Sequence, residues 1–495
     1  MGPAEIDIPS DLPCLAHAYV GGEWIGLPTD NVSILVDPSS EAPAGRLVCA
    51  DRSIVDRAVA AARSTFASSW SSVSVGSRIA VLEALAERIT TRREAFARCI
   101  SEEIGAPIDF AREAQVDAAV GHLGATISAL RDHLEDVPLS EDRRHRVRYE
   151  PVGVAALITP WNWPLNQVVL KVAGAIAAGC TMVLKPSELS TRTALLLARE
   201  IAETGLPAGV FNLLPGDGET GAALAAHPGV DHVSFTGSTE VGRSIAQSAA
   251  ARFASTTLEL GGKSANLLFE DCDLETAVRQ GVAHCFRNAG QSCNAASRML
   301  VARPIYEQCA ALVTEAVSTF QVGPPDRAGR HIGPLVSAAQ FERVQGFLQA
   351  GLDEGARCLA GGLGRPEELA HGFYARPTAF ADVTPQMSVF REEIFGPVLT
   401  LTPFDRDDEA IDLADATPYG LAGYIQTADA ERADRVAQRL SAGMIQINGS
   451  SRVAGAPFGG VKASGMGRES GIWGIRAFQY VKSISGARMA SERIG

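Results

Sequence analysis

Apolar positions along this chain follow two periods, one that buries the face of a helix and one that buries a strand. Ser53 is placed to cap a helix running to about Phe66, and Ile79, Leu82, Leu85 and Ile89 form a second stripe of helical spacing. The run VGVAALIT (152–159) is almost unbroken in its apolar character and ends in a turn of Pro, Trp and Asn, after which a helix is expected from about Leu165 to Ala178. TMVLKP (181–186) reads as a buried strand, 191–204 as a helix and FNLLPG (211–216) as a strand. VSFTG (233–237) and TTLELGG (256–262) read as two more strands with a helix between them. Continuously apolar strands separated by helices predict a parallel sheet covered on both faces, with binding loops at the carboxyl ends of its strands.

A second α/β pattern runs from about Leu260 to Asn448, with helices near 275–288, 304–319 and 338–354. Two segments fit neither unit. RHRVRYEP (144–151) and YVKSISGARM (480–489) alternate like exposed strands, the kind that pair with another chain. No internal repeat or low-complexity linker divides the sequence, so interleaved, closely packed domains are expected; 495 residues at roughly 150 per domain suggest three.

Charge narrows the function. Forty-four basic against 57 acidic side chains leave −13, which argues against a nucleic-acid binder or a ligand of anionic membranes. The longest apolar candidate for a membrane span, Val172 to Leu184, is interrupted by Gly and Thr. The acidic, proline-bearing start lacks the basic and apolar regions of an export signal, and Ile6 stands where a myristoylation motif needs Ser or Thr. Nine cysteines, an odd number without a CxxC pair, read as free thiols in a reducing, cytoplasmic setting; with the histidines unclustered, no metal site is expected. Only Lys171, Lys185, Lys263, Lys462 and Lys482 interrupt a preference for arginine, which singles those five out.

Two phosphate-loop motifs carry little. Gly216 to Gly221 matches GxGxxG, but a lone match among 48 glycines, on a strand that is not the first of its unit, is read as a tight turn. Gly262-Lys263-Ser264 resembles the end of a P-loop, yet Thr257 occupies the position of its first glycine.

Seven other motifs stand in order: PWNWP (160–164), KPSE (185–188), FTGSTEVG (235–242), LELGGKS (258–264), NAGQSC (288–293), EEIFGPV (392–398) and PFGGVKASGMGRE (457–469). Together they resemble the aldehyde dehydrogenase superfamily, in its NAD(P)-dependent, hydrolytic type, over nearly the whole chain. The resemblance implies an α/β fold with a Rossmann-like cofactor domain (1–135 and 151–258), an α/β catalytic domain (259–447) and a small β oligomerisation flap (136–150 and 476–495). Residues 448–475 are then expected to return to the cleft, and the chain to form a homodimer or homotetramer.

In that family the residue matching Cys293 is the nucleophile; here it follows a polar stretch read as a flexible loop, where a thiolate needs partial exposure and surroundings that favour the anion. Asn162, with the Cys293 N–H, matches the oxyanion donor. Glu259 matches the base that activates the hydrolytic water, and acylating relatives generally lack it; its apolar neighbours should raise its pKa. The resemblance makes Gly237, Ser238 and Gly242 the diphosphate turn at a helix start. It gives Lys185, Ser187 and Glu188 to the adenosine ribose, the carboxylate favouring NAD over NADP by repelling a 2′-phosphate. Thr159, Pro160, Trp161, Gly218, Leu260, Gly261, Glu392 and Phe395 complete the expected cofactor contacts, with Glu392 and Phe395 near the nicotinamide. For the substrate, Gln167, Leu170, Arg287 and Ser451 are expected to line the pocket. Arg287 matches one of two carboxylate-binding arginines of semialdehyde dehydrogenases, while the second falls at Leu170; a polar or carboxylate-ended aldehyde is the expectation. A general aliphatic or aromatic aldehyde dehydrogenase, a cofactor-independent esterase and a structural relative are the alternatives; an esterase would leave KPSE and FTGSTEVG without a purpose.

Overall fold

The computed structural model describes residues 13–139, 141 and 144–486. Two large sheets organise it. In the first, five parallel strands lie in the order Ser255–Glu259, His232–Thr236, Val154–Thr159, Thr181–Pro186, Phe211–Leu213. From Val154–Thr159 the chain winds outward through two strands on one side and then crosses to the other. The strand order therefore reverses between Val154–Thr159 and His232–Thr236, and an open α/β sheet binds its ligand outside the carboxyl ends of strands at such a reversal. Antiparallel strands extend both edges: His17–Val20 and Glu23–Gly26 at one, Gly465–Met466 against Ser255–Glu259 at the other.

The second sheet carries six parallel strands, Thr378–Ala381, Val398–Phe404, Arg298–Ala302, Ala265–Leu268, Ala422–Gln426 and Met444–Ile447, with Arg357–Ala360 antiparallel at its edge. Only the five residues 260–264 separate Glu259, at the end of the first sheet, from Ala265 in the second. The carboxyl ends of one sheet thereby meet the amino ends of the other.

Most expected elements form, and the departures have local causes. The first helix, Arg52–Ser68, is capped by Asp51, whose carboxylate accepts the Ile54 N–H at 3.0 Å; Ser53 instead donates its hydroxyl to Asp51. The helix expected over 275–288 stops at Phe286, because Asn288 and Ala289 adopt left-handed backbone angles. The two alternating segments pair with each other: Gln479–Ser485 runs antiparallel to His145–Pro151 through seven consecutive residue pairs, with Asp136–Pro138 on the far side. Residues 487–489 of that second segment lie outside the described residues. The short strands between Cys14 and Val48 were not anticipated from the sequence. No helix among the described residues is long and apolar enough to cross a membrane, and no cluster there could hold a metal ion.

Candidate active site

Two cavities, each of about 420 Å³, flank the turn at 160–164, Pro160 and Trp161 lining one and Trp163 the other. The first opens at the strand reversal. Thr159, Pro160, Trp161, Lys185, Ser187, Glu188, Gly218 and Gly237 all line it, so most of the expected cofactor contacts converge. The hydroxyls of Thr159 and Thr236 are buried there without a partner among the described residues, as donors awaiting a ligand would be. Buried Lys185 donates to the Asp217 carbonyl at 3.0 Å and stands 3.8 Å from the Glu188 carboxylate.

The two glycine-rich turns on this cavity differ in what their amides do. In the GxGxxG stretch, the Asp217 carboxylate accepts the N–H groups of Glu219 and Thr220 at 3.0 and 3.2 Å, so that helix start is already capped. A Cβ at Gly216 would lie 2.3 Å from the Thr220 hydroxyl, which explains the glycine by packing. At the helix Thr239–Ala250, Ser238 caps only Val241, and among the described residues no hydrogen bond takes the N–H groups of Thr239 and Glu240. This first turn is the one free to receive a diphosphate. Gly242 lies behind the cavity, where any Cβ would stand 2.4 Å from Leu260. Ser238, Gly242, Leu260 and Gly261 therefore shape the site from outside its lining.

Phe395, at φ 60°, meets Trp161 edge-on with ring centroids 5.5 Å apart. Glu392 is exposed, whereas its neighbour Glu393 turns inward and accepts the Gly262 N–H at 3.0 Å. Burial pushes the Glu393 carboxyl up to about 7. Of the paired glutamates in EEIFGPV, the second is thus the one against the catalytic strand end, and a repeated residue gave no means of choosing between them in sequence.

Cys293 lines the second cavity and is half-buried. A Cβ on Gly262 would lie 2.4 Å from the Cys293 carbonyl, so only glycine lets the loop after Glu259 close on the backbone of Cys293. The turn before Cys293 is pinned rather than flexible. Gln291 accepts the Val336 N–H at 3.0 Å, the Trp163 indole donates to Ser292 at 3.1 Å, and the Asn162 amide donates to the Gln291 carbonyl at 2.9 Å. The backbone N–H groups of Asn294 and Cys293 favour the anion, but burial, with the charges of Glu393 and Glu259, outweighs them and pushes the Cys293 thiol up to about 12.

Glu259 ends its strand almost fully buried, and neither carboxylate oxygen has a hydrogen-bond partner among the described residues. Burial and the nearby Glu469 carboxylate hold its pKa well above the usual range; Lys171, Arg468 and Arg452 oppose them. Lys171, fully buried, pairs with Glu469 at 2.5 Å and donates to Ser234 at 3.0 Å. That lysine, expected only beside a motif, stands in the catalytic surroundings.

Toward solvent the second cavity is lined by Gln167, Leu170 and Arg287, as expected, and by Arg452 in place of the exposed Ser451. The Arg287 guanidinium lies between the rings of Phe110 and Trp163 at 5.5 and 5.3 Å; that of Arg452 lies 4.7 Å over Phe458. Neither has a carboxylate partner among the described residues. Gln167 is buried, its amide oxygen also unpartnered.

With this geometry in hand, comparison with known proteins is direct. The model described as "Aldehyde dehydrogenase family" matches residues 28–484. A 3-succinoylsemialdehyde-pyridine dehydrogenase of a Pseudomonas species is 45% identical over 470 residues, spanning 94% of this chain and 98% of its own. Among solved structures, an aldehyde dehydrogenase from Bartonella henselae superposes with TM-score 0.94 at 43% identity, covering 96% of this chain and 100% of that one. A cysteine-to-alanine variant of aldehyde dehydrogenase C from Pseudomonas syringae, complexed with NAD+ and octanal, gives 0.93 at 44%, covering 95% and 96%. The Mycobacterium tuberculosis aldehyde dehydrogenase complexed with NAD+ gives 0.93 at 38%, covering 97% and 100%.

Proposed function

Because the chain belongs to the aldehyde dehydrogenase family, we propose that it oxidises a polar aldehyde to the carboxylic acid with NAD as hydride acceptor. The observation that carries this reading is Cys293 on a cavity wall, with the Asn162 amide bonded to the turn two residues before it and the buried Glu259 near enough to act on its thiol by charge. The cavity at the strand reversal suits NAD: two orphaned hydroxyls, a free helix start and a Lys185–Glu188 pair at the ribose position. Bound there, NAD supplies a hydride acceptor and the protein supplies everything else.

Cys293 reacts as the thiolate, its proton released to solvent water, and the sulfur attacks the carbonyl carbon. The oxygen becomes an oxyanion, held by the second N–H of the Asn162 amide and by the Cys293 N–H. Loss of hydride from that carbon leaves a thioester. Glu259 then takes a proton from water, the hydroxide adds to the acyl carbon, and the carbon–sulfur bond breaks to release acid and thiol. The raised pKa of Glu259 suits it to this exchange, with Lys171 limiting how far Glu469 raises it.

In this reading the sheet around Val154–Thr159 holds the nucleotide and the sheet around Ala265–Leu268 carries the nucleophile. The outer strand Gln479–Ser485, with Val481 and Tyr480 exposed, offers an edge for a second copy of the chain. Two guanidiniums with no ion-paired carboxylate among the described residues favour an aldehyde with an anionic or strongly accepting remote end. The semialdehyde named for the Pseudomonas relative fits a polar substrate, whereas the octanal in the syringae complex supports a neutral aliphatic one.

The test is absorbance of reduced nicotinamide with NAD or NADP over a panel of semialdehyde, aliphatic and aromatic substrates. Signal with NAD, absent in Cys293→Ala, is the expected result. Turnover retained in Cys293→Ala would overturn the mechanism, and a panel led by octanal would overturn the polar substrate.

A further inference from the structure

Asn288, Ala289 and Gly290 follow one another in left-handed conformation, at φ 57°, 55° and 72°. Glycine adopts this region freely and asparagine tolerates it, but alanine pays a steric cost. Such a turn persists only where its surroundings over-determine it. Packing does so in part, where a Cβ on Gly290 would collide with the Gly396 carbonyl at 2.0 Å and where Ala289 is buried in the core around Phe286. On the other side a cavity of about 580 Å³ borders Asn288 and Ala289.

Hydrogen bonds supply the rest, and they converge on one side chain. Asn288 donates from Nδ2 to the Asn162 carbonyl at 2.8 Å and to the Gln291 carbonyl at 3.3 Å. Gln291 returns a bond from Nε2 to the Asn288 carbonyl at 3.1 Å. The Asn162 amide donates to the same Gln291 carbonyl. Gln115, wholly buried in the π-helical turn Ala111–Val116, adds only a long 3.5 Å approach to the Asn162 carbonyl. Asn288 is therefore the principal side-chain link from the turn before Cys293 to the backbone of Asn162, and Asn162 closes the ring with its own side chain.

We propose that Asn288 is a positioning residue for the oxyanion site, its carboxamide tying the backbone of Asn162 to the nucleophile turn and so setting the separation between the Asn162 amide and the Cys293 N–H. It lines the rear cavity and not the one that holds Cys293, so it touches neither aldehyde nor cofactor. The inference rests on the reading above, in which Asn162 and the Cys293 N–H receive the oxyanion. A displacement of such donors by a fraction of an ångström weakens the transition state more than it weakens substrate binding.

Asn288→Gly separates positioning from mere backbone tolerance, because glycine keeps the left-handed turn with less strain and removes the carboxamide. Asn288→Asp keeps shape and tolerance but sets a carboxylate against two carbonyl oxygens. Both variants are expected to lose at least tenfold in kcat, with KM for NAD within threefold of wild type. Adding Asn288→Gly to Asn162→Ala should cost less than threefold beyond Asn162→Ala alone, since the group being positioned is already gone. Wild-type kcat in Asn288→Gly would overturn the proposal, and so would a full multiplicative loss in the double variant. Were Asn162→Ala itself as active as wild type, the oxyanion reading would fall and this inference with it, whatever Asn288→Gly does.

Discussion

The two cavities have the same volume and opposite construction. Every wall of the nucleotide cavity comes from residues 158–248, as strand ends and helix starts of one sheet. The substrate cavity draws on residues 114–122, 163–170, 284–294 and 452–470, which four separate excursions of the chain bring together. The first presents strand ends, small residues, hydroxyls and the Lys185–Glu188 pair; the second presents two guanidiniums set against aromatic rings, a buried glutamine and Cys293. A cavity made by topology can be reused for one shared ligand, whereas one assembled from long-range side chains is where a member of the family can differ from its relatives.

That contrast predicts that damage on one side should leave the other intact. Cys293→Ala is the largest case: NAD-dependent turnover should fall by at least about 10⁴-fold, as loss of a nucleophile does elsewhere. NAD binding, followed through the fluorescence of Trp161 at its cavity, should persist. Loss of NAD binding in this variant would mean that the cavities are not separable.

Next in size is the thiol itself. With its pKa pushed up to about 12 in the protein without cofactor, Cys293 should be about 10³-fold less ionised near neutrality than an ordinary thiol. Its alkylation by iodoacetamide, mapped by mass spectrometry, should lag behind that of the exposed Cys14 and Cys358 at pH 7 and accelerate about tenfold per pH unit. A raised pKa means the reactive form grows as pH rises, so kcat/KM should fall, not rise, on acidification. Alkylation of Cys293 at pH 7 as fast as at Cys14 would show that the protein already favours the thiolate. Glu259→Gln follows, with an expected loss of about 10²- to 10³-fold in kcat and a retained first-turnover burst of NADH, because only deacylation needs the base.

How much of this was legible before the structure follows the same division. The strands VGVAALIT and TMVLKP declared themselves by unbroken apolar runs, and their carboxyl ends carried PWNWP and KPSE to the cavity they line. Local order in the sequence became local order in space. Ser451 and Arg452 differ by one position in a loop without periodicity, so nothing in the pattern could tell which of them faces Cys293. Glu392 and Glu393 posed the same problem, and Lys171, singled out only as one of five lysines, showed no partner until its helix was packed against Glu469. Strain at Ala289 left no sequence signal, since alanine, unlike glycine or asparagine, does not mark a position of positive φ.

The arginines test the funnel directly. If Arg452 and Arg287 receive an acidic tail, the ratio of kcat/KM for succinic semialdehyde over butanal should exceed one in wild type. It should then drop about tenfold or more in Arg452→Leu and in Arg287→Leu, the worth of a charge-assisted hydrogen bond of about 1.5–3 kcal/mol. A ratio unchanged in both variants would leave the guanidiniums as ring-stacked structure only.

The smallest expected effect lies in the other cavity. Glu188 is partly exposed and 3.8 Å from Lys185, so its repulsion of a 2′-phosphate is screened by solvent and worth about 1 kcal/mol at most. Glu188→Gln should therefore raise the preference for NADP relative to NAD by no more than about fivefold, with Lys185 released to face the added phosphate. The ranking of aldehydes should not change in this variant, because Lys185, Ser187 and Glu188 line one cavity and none of them lines the cavity that holds Cys293. A variant that altered aldehyde preference as strongly as cofactor preference would break the division between a cavity set by topology and one set by side chains. A variant that altered neither would place cofactor choice in the backbone of the helix start at Thr239, where no single side chain controls it.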